Sequence, residues 1–164
     1  MGRDQLDNGR PRFYGRRQGQ PLSARRQRLM DELLPRIAVP EPAEGETLDP
    51  ASLFDSPPSA VWMEFGFGGG EHLAGLAEAN PEVGFIGCEP FINGIAGLLA
   101  HVEERGLDNL RVFPEDARLL LPALPEGSVD RAYVLYPDPW PKARHWRRRF
   151  IGPDNLPHLA RILR

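Results

Sequence analysis

Val61-Trp62-Met63-Glu64-Phe65-Gly66-Phe67-Gly68-Gly69-Gly70-Glu71 is a short apolar run that breaks into a glycine-rich turn. The run reads as a buried strand. Residues 71–79, with Leu73, Leu76 and Ala77 at helical spacing, read as the helix that follows. The same alternation recurs downstream. Residues 83–88 are a second buried-strand candidate ended by Glu89-Pro90, and residues 92–105 a helix stopped by Gly106. Residues 110–113 are a third strand, 117–121 a short helix, 130–135 a fourth strand, and 153–163 open a further helix. Short strands alternating with helices predict an α/β fold, an open, mostly parallel sheet covered on both faces.

Working outward, the chain divides into three zones. Residues 1–28 carry eight arginines against Asp4 and Asp7, with Phe13 and Tyr14 as the only aromatics, and read as a basic flexible arm. Residues 29–59 form a proline-rich connector with a short helix near 29–34. Residues 60–164 are the α/β domain. The net charge of −3 hides a segregation: residues 29–141 hold 20 acids and five bases, whereas residues 142–149 hold five cations and no acid. Two cationic patches on an acidic body point to a polyanion. A single cysteine, Cys88, makes neither an internal disulfide nor a metal cluster. No apolar run reaches the ~20 residues of a membrane span, and the arginine-rich start has no apolar core behind it. The expectation is a cytoplasmic protein with no metal and no membrane partner.

In an open parallel sheet, ligands bind beyond the C-terminal strand ends, where the strand order reverses. Glu64, Glu89, Asp116 and Asp138 follow four consecutive predicted strands. Glycines at 66, 68 and 70 allow a tight turn and close approach of a ligand. A dinucleotide fingerprint would require a third glycine at position 71, but Glu71 stands there and would oppose a phosphate. The turn suits a ligand without phosphate; S-adenosylmethionine, with its ammonium, sulfonium and carboxylate, is one. Glu89 is placed to accept from ribose hydroxyls and Asp116 from an adenine amine. Each acid also has a plainer reading, as an acid near a helix start or as an N-cap.

Tyr136-Pro137-Asp138-Pro139-Trp140-Pro141-Lys142-Ala143-Arg144-His145-Trp146-Arg147-Arg148-Arg149 leaves the fourth strand as a proline-stiffened loop. It resembles the F-P-D-P-W-P-K-K-R-H-x-K-R-R signature of bacterial tRNA (guanine-N7)-methyltransferases. Residues 64–68 resemble that family's E-I-G-F-G turn, residues 85–89 its F-I-G-I-E strand, and residues 106–112 with Asp116-Ala117 a further segment. The resemblance covers about residues 60–164, and residues 13–36 look like the N-terminal arm of some members. Departures are mild: Tyr136 for Phe, Ala143 for Lys, Trp146 at the variable place and Cys88 for Ile.

The resemblance implies a Rossmann-like class I methyltransferase, a doubly wound sheet that binds S-adenosylmethionine. It implies cofactor contacts at Glu64, Gly66, Gly68, Glu89, Asp116 and Asp138, with Asp138 also the catalytic residue. It implies tRNA contacts at Lys142, Arg144, His145, Trp146, Arg147, Arg148 and Arg149. The substrate would be a guanine of the tRNA variable loop. Further strands follow this point in related enzymes, so the chain is expected to be truncated after the fourth strand and following helix. Two rival functions stay open: methylation of an amino group on another base or a protein, and a non-catalytic RNA-binding module of the same fold. Monomer and homodimer are not distinguished.

Overall fold

A computed structural model describes residues 6–7 and 10–164. The dipeptides β1 (Leu6–Asp7) and β2 (Arg10–Pro11) pair antiparallel, and helices α1 (Ala24–Glu32) and α2 (Leu34–Ile37) follow. Then come β3 (Ala60–Phe65), α3 (Glu71–Ala79), β4 (Val83–Cys88), α4 (Ile92–Arg105) and β5 (Leu110–Phe113). Helix α5 (Ala117–Leu120) runs into a 3-10 turn at Leu121–Ala123, and β6 (Arg131–Tyr133) and α6 (Leu156–Ile162) complete the order. Strands β3 to β6 form one parallel sheet in the order β5-β4-β3-β6.

Side-chain alternation along the strands builds two cores. Phe85, Leu110 and Val112 pack with α1, α3 and α4 on one face. Val61, Met63, Phe65, Ile86 and Phe113 pack with α5 and α6 on the other. The sheet is therefore doubly wound, as its alternating pattern predicts. The chain leaves β3 toward β4 and β5, then crosses back to place β6 on the opposite side of β3. The strand order reverses there, which opens the crevice above the C-terminal ends of β3, β4 and β6.

Some boundaries differ from expectation. The fourth strand is shorter than 130–135. Asp130 is held below it, with Oδ2 accepting from the Val61 N–H at 2.8 Å, and the backbone turns off at Tyr136 with φ 49°. Beyond β6, Leu163 bridges Val129 in parallel, so the last residues lie along the outer sheet edge.

The larger correction concerns the arm. Residues 1–5, 8 and 9, with Arg3 and Asp4 among them, lie outside the described residues. Helix α1 starts at Ala24, five residues before the expected helix, under a Ser23 cap that accepts from the Arg26 N–H. It docks on α4: Leu29 is 1% exposed, Arg25 meets Glu103 and Glu104, and Arg28 meets Glu103. Exposed ion pairs contribute little each. The buried leucine supplies most of the docking energy. Leu29→Ala should cost about 2–4 kcal/mol, the range for emptying a packed leucine site. A denaturant midpoint unchanged from wild type would show that α1 is not part of the fold.

Candidate functional site

The glycine turn is fixed by contact with α4. Gly66, Gly68 and Gly70 all have positive φ (75°, 58° and 85°), a region that side chains with a Cβ rarely adopt. The turn lies directly on α4, where a Cβ on Gly94 would sit 2.3 Å from the Gly68 carbonyl oxygen and one on Gly97 2.9 Å from that of Gly69. The two α4 glycines escaped the sequence reading. Their signal was present, as paired breakers one turn apart inside an otherwise helical stretch.

Glu89 leaves β4 beside this turn and is 8% exposed. Its Oε2 accepts from the Gly68 N–H and its Oε1 from the Phe91 N–H, both at 3.0 Å. Each carboxylate oxygen thus keeps a second acceptor site, a pair suited to two neighbouring hydroxyls. Burial pushes Glu89 above the usual carboxylate range, the two backbone N–H groups oppose that, and the charge of Asp138 adds to the rise. Asp138 is exposed on the proline loop and, among the described residues, has no hydrogen-bond or ion-pair partner. Two carboxylates therefore repel each other across one cleft. A cationic ligand bearing hydroxyls would relieve both costs.

The cleft measures about 330 Å³, within the range of small-molecule sites. It is lined by Gly66, Gly68, Glu89, Asp116 and Asp138. Asp116 does what an N-cap does, accepting from the Arg118 N–H at 3.0 Å. Its oxygens also accept from the Arg118 side chain, through Nε at 3.0 and 3.1 Å and through the terminal nitrogen. Its acceptor capacity is filled, so an adenine amine would have to displace Arg118, a residue that sequence reasoning missed. Glu64 does not line the cleft. Strand β3 runs one residue past it, and alternation turns its side chain toward α3, where it is 2% exposed and accepts from His72 Nδ1 at 2.8 Å. It braces the start of α3.

The basic stretch is a 3-10 helix, Ala143–Arg148, with no buried residue. In that geometry residues three apart eclipse, so Arg144 aligns with Arg147 and His145 with Arg148. Desolvation, then the charges of Arg148, Arg144 and Lys142, hold His145 below its ordinary range. Trp140 has φ 38°, sits edge-on to Tyr14 and His145, and takes Arg148 over its ring at 5.1 Å. Trp146 is half exposed with Arg147 over it at 5.0 Å. Arg149 donates to the Trp140 carbonyl at 3.1 Å, which ties the helix back to the loop. Among the described residues no cluster of His, Cys, Asp and Glu could hold a metal ion, and no helix is long and apolar enough to cross a membrane.

Residues 58–164 match a family model described as "Putative methyltransferase". The chain is 60% identical over 155 residues to the tRNA (guanine-N(7)-)-methyltransferase of Paramagnetospirillum magneticum, covering 94% of this chain and 65% of that protein. It is 48% identical over 168 residues to the enzyme of the same name from Paracoccus denitrificans, covering 98% of this chain and 71% of that protein. The chain belongs to the tRNA (guanine-N(7)-)-methyltransferase family. The Rhodospirillum rubrum member is 54% identical over 154 residues, covering 93% of this chain and 60% of its own. The chain thus spans 60–65% of the length of two of these relatives. Among solved structures, the 16S rRNA methyltransferase KamB superposes with a TM-score of 0.50 at 23% identity, over 65% of this chain and 49% of that one, a likeness of fold.

Two outcomes test this geometry. Gly94→Ala should push the turn off α4 and weaken binding of the family's methyl donor at least tenfold, at an overpacking cost of about 1–3 kcal/mol. Gly75→Ala, whose Cβ meets nothing within 4 Å, should leave binding intact. Equal affinities in the two variants would remove the close-approach argument. Ligand hydroxyls need ionised Glu89, so donor affinity should hold at neutral pH and fall as pH drops into the raised range of that carboxyl. Glu89→Gln should flatten the profile. Calorimetry across pH reads this, and a flat wild-type profile would refute it.

Proposed function

We propose that the protein transfers a methyl group from S-adenosylmethionine to N7 of a guanine in tRNA, in the cytoplasm. The observation that carries this reading is the convergence, on one cleft, of the Gly66–Gly70 turn with Glu89, the unpaired Asp138 and the cationic 3-10 helix. When bound, S-adenosylmethionine supplies a methyl already activated on a sulfonium.

The chain's own residues then have defined tasks. Glu89 accepts from the ribose hydroxyls with its two remaining acceptor sites. Gly66 and Gly68 admit the ligand because no Cβ intrudes. Asp116 reaches the adenine amine after Arg118 shifts, and Glu64 supports the turn from beneath through His72. Guanine N7 carries an in-plane lone pair and no proton, so no general base is required. The purine gains positive charge as the N7–methyl bond forms and the methyl–sulfur bond breaks. Asp138, without a hydrogen-bond or ion-pair partner among the described residues, stabilises that charge and orients the base. Alignment supplies most of the rate. Lys142, Arg144, Arg147, Arg148 and Arg149 hold phosphates, with His145 and Trp146 beside them, and binding weakens steeply with salt.

This assignment favours a nucleic acid over a small molecule or protein acceptor, because five cations with no acid flank the cleft. Mass spectrometry of tRNA nucleosides after incubation with S-adenosylmethionine should show 7-methylguanosine. Asp138→Ala should lower kcat about 10²–10³-fold, the usual loss for a charge-stabilising group. Methylation of another base atom, or an unaltered rate in the variant, would overturn the reading.

A further inference from the structure

We propose that Tyr14, in the N-terminal segment, is a positioning residue of the acceptor site. It clamps the Arg148 guanidinium against Trp140, so that the guanidinium edge takes a phosphate of the acceptor RNA beside the reacting base. This rests on the functional reading above and deepens it.

The segment that carries Tyr14 is strung between fixed points across the cleft mouth. On one side, Arg118 donates to the Arg12 carbonyl at 2.9 Å. On the other, Arg17 pairs with Glu115 at 3.0 Å, its carbonyl accepts from the Ile92 N–H at 2.9 Å, and the Gly19 N–H meets Asn93 Oδ1 at 2.7 Å. Residues 13–16, between these anchors, line the same cleft as Asp138. Tyr14 therefore faces the proline loop in a set position.

There it forms one wall of an aromatic corner whose other wall is Trp140. The Arg148 Cζ lies 4.2 Å from the Tyr14 ring centroid and 5.1 Å from that of Trp140, while the two rings meet edge to face at 6.0 Å. The guanidinium sits in the corner between the two rings, and contacts of this kind leave its N–H groups free to donate. Among the described residues nothing accepts a hydrogen bond from Arg148, whereas Arg149 and Arg144 are engaged, by the Trp140 carbonyl and His145. A planar fork held in an aromatic corner, with no acceptor among the described residues, matches the two-oxygen geometry of a phosphate. Lys142, Arg144, Arg147 and Arg149 lie on the same short segment as Arg148, and their summed field favours a polyanion over a single carboxylate.

The test uses the full-length protein with Tyr14→Ala, Tyr14→Phe, Arg148→Lys and Arg148→Ala, read by tRNA binding across salt, S-adenosylmethionine calorimetry and steady-state kinetics. Tyr14→Ala and Arg148→Lys should raise KM for tRNA about tenfold, the factor for one desolvated cation–π contact, with a smaller change in kcat. Donor affinity should stay at the wild-type value. Tyr14→Phe keeps the ring and should recover most of the loss. Arg148→Ala should reduce the salt slope of tRNA binding by about one. An unchanged KM in Tyr14→Ala overturns the proposal, as does a Tyr14→Phe as impaired as Tyr14→Ala. Weakened donor binding with tRNA binding intact would assign Arg148 to the donor's carboxylate, and also overturns it. A wild-type protein that binds donor but no tRNA would bring down the functional reading itself.

Discussion

The glycine turn touches α4 backbone to side-chain-free backbone, and the rest of the site follows from that contact. A carbonyl packed where a Cβ would normally stand cannot relax outward, because Glu89 holds the Gly68 N–H from the other side. These contacts hold the turn in its left-handed conformation. Such a turn costs stability, since glycines lose more chain entropy on folding than other residues. The two well-packed cores flanking the sheet supply that stability.

Electrostatics divides the cleft. One wall is anionic, with Glu89 raised and Asp138 unpaired. The 3-10 helix is cationic, and desolvation together with its charges holds His145 below its usual range. A cationic small ligand and a polyanionic large one are thus directed to different walls of the same opening. The proposed methyl transfer requires them to meet along the boundary. Trp140 and Tyr136 stand on that boundary with positive φ (38° and 49°), and non-glycine residues in this region store about 1–3 kcal/mol each. Trp140 is supported by Tyr14, His145 and Arg148. Tyr136 is 99% exposed and has no ring contact among the described residues.

The alternation of apolar runs with helical spacing made the sheet, its parallel sense and the position of the crevice legible from residues 60–135. The position of Glu89 and Asp138 at the cleft was legible too, because both follow a strand on its C-terminal side. Glu64 stands one residue inside β3 instead of past its end, and its side chain points to the α3 face, where it meets His72. The arm was misread through composition. Residues 10–28 bury almost nothing by themselves, but their arginines find Glu103, Glu104 and Glu115 far along the chain, and no local pattern announces such partners. Arg118 was obscured in the same way, because only the fold brings it over Asp116 and under the arm.

Helix α4 serves as a common keel. Its N-terminal glycines seat the donor turn, Asn93 grips the backbone at Gly19 and Gln20, and its far end carries Leu29 with the α1 arginines. The glycine turn and the segment that carries Tyr14 are thus bolted to one rigid rod. A tilt of that rod by a fraction of an ångström is felt at both stations at once, so neither half of the active cleft can drift out of alignment independently of the other.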